Sequence, residues 1–154
     1  PLFGLPIRYA GYIYTESGAE NNLEKIKERI ADGYTILIFP EGTRSPDDKM
    51  QRFHKGAFYL SQELKLDITP ILIHGASYVL PKNDYIVKTG ELNLKVLPRI
   101  KHDDILWGNN YKERTKNISQ YFKSEYLKFK DERETAPYFW GRVFNNYIFK
   151  GPII

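Results

Sequence analysis

Apolar residues recur along this chain with two periods, and the switches between them mark out its elements. Within 21–31, Leu23, Ile26 and Ile30 share one face of a helix whose other face carries Glu and Lys, and Gly33 follows as a stop. Residues 34–39, Tyr-Thr-Ile-Leu-Ile-Phe, are nearly continuously apolar, the pattern of a strand inside a parallel sheet. A second short helix is expected over 56–65, with Ala57, Leu60 and Leu64 on one side. Another short apolar strand follows over 68–73, entered through Pro70. Residues 75–84, with Pro81 and Asn83, read as a loop. Over 91–97 the pattern alternates, Leu92, Leu94 and Val96 against Asn93 and Lys95, which is a strand with one exposed face. Residues 111–133 read as a long polar helix docked by a stripe of Ile118, Phe122, Tyr126 and Phe129. With a strand-containing opening segment at 6–15, broken by Gly4 and Gly11, the order predicts an α/β fold: a mostly parallel central sheet flanked by helices.

Composition narrows the picture. The 154 residues amount to about one domain, and the apolar runs are too short to span a bilayer. No secretory signal is visible. The absence of cysteine excludes disulfides, zinc thiolates and a cysteine nucleophile, and is compatible with a reducing compartment. The sole methionine is Met50, and Pro1-Leu2-Phe3-Gly4 already reads like the middle of a domain, so a piece of a longer protein is expected. A net charge of +4 mildly favours anionic partners, although a solvated lysine-rich surface accounts for it equally well.

The chemistry gathers where the first apolar run ends. Pro40 closes that run, having no amide proton to continue a ladder. Gly42 permits a sharp bend and a close approach to a ligand. Thr43 and Ser45 offer hydroxyl and amide donors, and Arg44 can grip a phosphate through two parallel hydrogen bonds. Glu41 can accept from a sugar or glycerol hydroxyl, or orient Arg44. Ligands of open α/β sheets sit beyond the carboxyl ends of the strands, where this turn would lie. An ordinary strand-exit turn with a Glu41–Arg44 surface ion pair explains the same residues, and the turn alone leaves both readings open. The next segment, Arg52-Phe53-His54-Lys55-Gly56-Ala57-Phe58, shifts the balance. It puts Lys55 and Gly56 at a helix start, where open amides favour an anion.

Phe39-Pro40-Glu41-Gly42-Thr43-Arg44-Ser45 resembles the third conserved block of the glycerol-phosphate acyltransferase superfamily, best known from the lysophosphatidic acid acyltransferases. Phe53-His54-Lys55-Gly56-Ala57-Phe58 resembles the family's Phe-Lys-x-Gly helix start, and Ile68-Thr69-Pro70-Ile71-Leu72-Ile73 with Gly75 resembles the fourth block. Leu80-Pro81-Lys82 has familial spacing, and 1–17 resembles the second block. The resemblance covers residues 1 to about 100. It implies transfer of an acyl group from a coenzyme A or carrier-protein thioester, the donor substrate, to a hydroxyl of a lysophospholipid or glycerol phosphate, with no cofactor. It assigns Glu41, Gly42, Thr43 and Arg44, with Lys55, to the acceptor's glycerol phosphate, and Pro70 to the strand lining the site. It implies 1–110 as the C-terminal part of an N-terminally truncated acyltransferase-like domain, followed by the helix at 111–135. Residues 136–154 would be an aromatic, basic extension or linker, as in acyltransferases within larger bacterial fusion proteins. Location is expected in the cytoplasm at the inner face of the membrane.

Two departures qualify this. The family's base is a histidine with an aspartate five positions later, yet His54, His74 and His102 are followed at that spacing by Tyr59, Val79 and Trp107. The block would lie upstream of Pro1, so the chain by itself is expected to be inactive, with no catalytic residue of its own. The second block usually ends in arginine near Ser17, a contact that Arg8 or Lys55 would have to replace. The aromatics and cations of 138–150 suit a membrane interface, and packing against the sheet explains them as well. A non-catalytic binder of phospholipid headgroups is the main alternative. Single-stranded nucleic-acid binding ranks last, for want of any recognisable module, so no nucleic-acid partner is expected.

Overall fold

The computed structural model describes residues 22–45, 49–82 and 86–138. Helix α1, Leu23–Ala31, buries Ile26 and ends in a Schellman motif: Gly33 at φ +87° lets its N–H reach Ile30 O and the Tyr34 N–H reach Arg29 O. Helix α2 spans Gly56–Glu63, strand β1 Ile71–His74, the short helix α3 Ala76–Val79, strand β2 Asn93–Val96, and helix α4 Tyr111–Arg133. Asn110 caps α4, its side chain accepting from the N–H groups of Lys112 and Glu113.

The core lies between α4 and the elements it faces. Ile118, Phe122, Tyr126 and Phe129 pack with Phe53, Phe58, Leu72, Leu97 and Ile100. Phe53 meets Phe122 edge to face, with centroids 5.2 Å apart. This stripe is the one the helical spacing marks out. Arg114, buried on the same helix, donates to the carbonyls of Asp104 and Lys101 and so ties the 101–104 loop to α4. Burial pushes its guanidinium pKa down, and the charges of Asp104 and Asp103 partly restore it.

Four expectations are corrected. Among the described residues the sheet is a two-stranded antiparallel ladder, Ile71 opposite Val96 and Ile73 opposite Leu94, and not a mostly parallel sheet. The 34–39 run forms no ladder, and Tyr34, Leu37 and Phe39 are exposed. A strand needs a neighbour offering N–H and C=O groups, and no described segment pairs with it. The two faces of β2 are reversed: Leu94 and Val96 point to solvent, whereas Lys95 lies over the Phe129 ring and within 3.6 Å of Glu132. Helix α4 covers that polar side and leaves the apolar one open. Finally, the 75–84 loop contains α3, started by Gly75 at φ +92°, where a Cβ would collide with Glu91 O. The expectations for 6–15, Arg8 and the second block, and for the aromatic tail beyond Tyr138 lie outside the described residues.

Candidate functional site

The turn after Pro40 is held from three sides. Behind it, the Glu41 carboxylate accepts from the Gln51 N–H at 2.6 Å, and the His54 N–H donates to Pro40 O at 2.7 Å. Gly42, at φ +68°, brings its backbone against the His54 imidazole: a Cβ there would sit 3.1 Å from two ring atoms. Two independent constraints, a left-handed φ and a ring in the way, therefore demand glycine at 42. Burial raises the Glu41 pKa, and the Gln51 hydrogen bond opposes part of that rise.

Arg44 anchors the far side. Its Nη1 donates to Leu80 O and Pro81 O at 3.0 and 2.8 Å, and Nη2 donates to Lys82 O at 3.0 Å. The Glu41–Arg44 ion pair that the bland reading needs does not form, because each group faces other partners. Three of the five guanidinium donors are thus engaged by carbonyls, and two have no partner among the described residues. Thr43 is exposed. Lys55, also exposed, stands at the start of α2, where no side chain caps the first amides. Pro70 is fully buried ahead of β1, and its carbonyl accepts from Leu97 N–H. The structure thus gathers Glu41, Gly42 and His54 at one turn, with Phe53 seating the 52–55 segment in the core beside it. Pro70 belongs to the packed interior.

The Acyltransferase family model matches residues 1–74, a span that includes this turn and ends with β1. Over these residues the chain matches the acyltransferase family, and it resembles the glycerol-phosphate acyltransferase superfamily. It is 34% identical over 88 residues to a 1-acyl-sn-glycerol-3-phosphate acyltransferase of Chlamydomonas reinhardtii, covering 54% of this chain and 26% of that one. With the enzyme of the same name from Cocos nucifera it shares 30% identity over 109 residues, 68% of this chain and 35% of the relative. The crystal structure of the 1-acyl-sn-glycerophosphate (LPA) acyltransferase PlsC from Thermotoga maritima superposes with a TM-score of 0.62 at 26% identity, covering 70% of this chain and 44% of that one. The chain therefore spans less than half the length of these acyltransferases.

Two histidine–carboxylate pairs escape a search for acids five positions on. His74 is fully buried, its Nε2 3.1 Å from Glu134 Oε1. His102 Nδ1 is 3.1 Å from Asp67 Oδ1, which also accepts the His102 backbone N–H. That backbone bond first, and the side-chain bond second, lower the Asp67 pKa. Both partners are distant in sequence, 60 and 35 residues away, so no local spacing signals them. His54, the histidine at the turn, has no carboxylate partner among the described residues. The tie from Arg44 to Leu80–Lys82 is likewise missed, because backbone carbonyls leave no mark on residue type. No described helix is long and apolar enough to cross a membrane.

Proposed function

We propose that this chain holds the phosphate end of a glycerol-based acceptor, a lysophospholipid or glycerol phosphate. An acyl group then passes to it from a thioester of coenzyme A or a carrier protein. The observation that most supports this is the turn at 40–45. Its shape is fixed by the Glu41–Gln51 bond, the fit of Gly42 against His54 and the Arg44 tie to residues 80–82, before any ligand arrives. A preorganised turn loses little freedom on binding. The two remaining Arg44 donors and the Lys55 ammonium meet the phosphate. Glu41 Oε1, which Gln51 leaves open, accepts from a glycerol hydroxyl.

In the transfer, the acceptor's hydroxyl oxygen attacks the thioester carbonyl carbon. The carbon–sulfur bond breaks, and the thiol departs with the proton that the hydroxyl gives up. A base must carry that proton. In this reading it is not among these residues: His74 is sealed in the core on Glu134, His102 is tied to Asp67, and His54 has no carboxylate among the described residues to set its tautomer. Contact with the inner face of a membrane through 138–150 completes the reading, supported by the aromatic and cationic composition of that segment.

Binding of lysophosphatidic acid and of the matching monoacylglycerol tests the site. A preference for the phosphorylated lipid of about tenfold or more is expected, and Lys55→Ala should remove most of it. Equal affinities would contradict the assignment. The purified chain should not acylate lysophosphatidic acid from acyl-coenzyme A, and robust turnover would refute the missing base. The lack of a paired base at the turn also favours a second reading, a non-catalytic headgroup binder. A His-x-x-x-x-Asp block upstream in the natural protein would decide for the enzyme, and its true absence for the binder.

A further inference from the structure

A cavity of about 360 Å³ opens between the 89–93 segment and the last turn of α4, and it shares no lining residue with the turn at 40–45. Its two walls are fixed. On one side Gly90 packs so closely that a Cβ there would sit 3.0 Å from both Tyr78 and Val79, and Asn93 is held opposite His74 in the ladder. On the other side the fully buried His74, its Nε2 3.1 Å from Glu134 Oε1, pins the end of α4 and with it Glu132 and Arg133. The Arg133 guanidinium lies over the Phe129 ring, 5.5 Å from its centroid.

The walls carry opposite charges that do not meet. Glu91 stands on one wall and Arg133 on the other, and neither side chain has an ion pair or hydrogen bond among the described residues. Glu132, which also lines the cavity, has Lys95 within 3.6 Å, so its charge is already offset. The rings of Tyr78 and Tyr138 border the same space, and tyrosine faces attract an ammonium. The carbonyl end of a 23-residue helix favours a cation there as well. A neutral polyol draws on neither charge, and a ligand with one charge draws on one. A molecule that carries both uses both.

We propose that this cavity binds a compact zwitterion, an ammonium a few bonds away from a phosphate or carboxylate. The anion meets the Arg133 guanidinium, and the ammonium lies by Glu91 and the tyrosine rings. The shared chemistry belongs equally to a free amino acid or amino-alcohol phosphate and to a zwitterionic lipid headgroup. The inference is independent of the acyl-transfer reading.

The test is an amide chemical-shift titration of the full chain with O-phosphoethanolamine and L-serine, against inorganic phosphate, ethylammonium and glucose. The zwitterions should give saturable shifts at Gly90, Asn93, Arg133 and Thr135 and bind about fivefold or more tighter than the singly charged or neutral probes. Glu91→Gln should bring O-phosphoethanolamine down to the affinity of inorganic phosphate, and Arg133→Gln should bring it down to that of ethylammonium. Glu63→Gln, which removes an exposed acid of α2, should change binding less than about twofold. Glu91→Gln breaks no described side-chain bond, so its result stands even where Arg133→Gln loosens the packing on Phe129. Absent saturation at these amides, inorganic phosphate or glucose binding as tightly as the zwitterions, or equal losses in Glu91→Gln and Glu63→Gln would each overturn the proposal. The source is read with vesicles. Shifts at the same amides from phosphatidylethanolamine vesicles, absent with phosphatidylglycerol, support a lipid headgroup, and shifts from the free zwitterions alone support a soluble ligand.

Discussion

At Glu41 the fold holds a carboxyl in a half-buried place that disfavours its charge, and the sign of the effect can be worked out. Its folded pKa is raised, so its contribution to stability is full below the ordinary glutamate range and is lost as pH rises through the folded value. Glu41→Gln keeps an acceptor for the Gln51 N–H and removes the charge. The variant should melt higher than the parent at pH 7 and level with it near pH 3.5, a little below the unperturbed value. A gap that widens on acidification would contradict this. Arg44 is the opposite case: its carbonyl bonds make it a clamp as well as a ligand-binding group. Because it is exposed, Arg44→Ala should cost only about 1 kcal/mol of stability. Faster amide exchange around 80–82, followed by mass spectrometry, would report the released loop. The chemistry of this turn was legible in the order Pro-Glu-Gly-Thr-Arg-Ser. The partners were not, because Gln51, His54 and the carbonyls of 80–82 reach it through backbone groups and ring shape.

Among the elements, α4 organises the molecule. Ile118 has no exposure, and Ile118→Ala should cost about 2–5 kcal/mol in denaturant unfolding. A loss below about 1 kcal/mol would mean the stripe is not the core. The helix could be read from sequence because its apolar residues keep one period over about three turns, from Ile118 to Phe129. The short elements could not. Residues 34–39 carry the composition of a buried strand, but composition does not supply the neighbour a ladder requires. The β2 alternation gave the right period and the wrong side, because the Lys95 ammonium lies over the Phe129 ring and within 3.6 Å of Glu132. In α3, the left-handed Gly75 starts a turn of helix inside what its Pro and Asn residues mark as loop.

On the scale of the whole molecule, the outer face of the ladder stands open. Leu94 and Val96 are each 65% exposed, flanked by Ile71 and Ile73 in register. Residues this exposed contribute little burial, so Leu94→Lys with Val96→Lys should change the stability of this chain by less than about 1 kcal/mol while reducing self-association in sedimentation. The acyltransferase likeness and the turn fit together with the short coverage of the relatives, and the acceptor-phosphate site is the claim on which the rest depends. The most direct measurement is an amide chemical-shift titration of the chain with glycerol 3-phosphate. The account predicts saturable shifts at Gly42, Thr43, Arg44, Lys55 and Gly56, absent when glycerol replaces the phosphate ester. Shifts confined to other regions, or equal responses to glycerol, would contradict it.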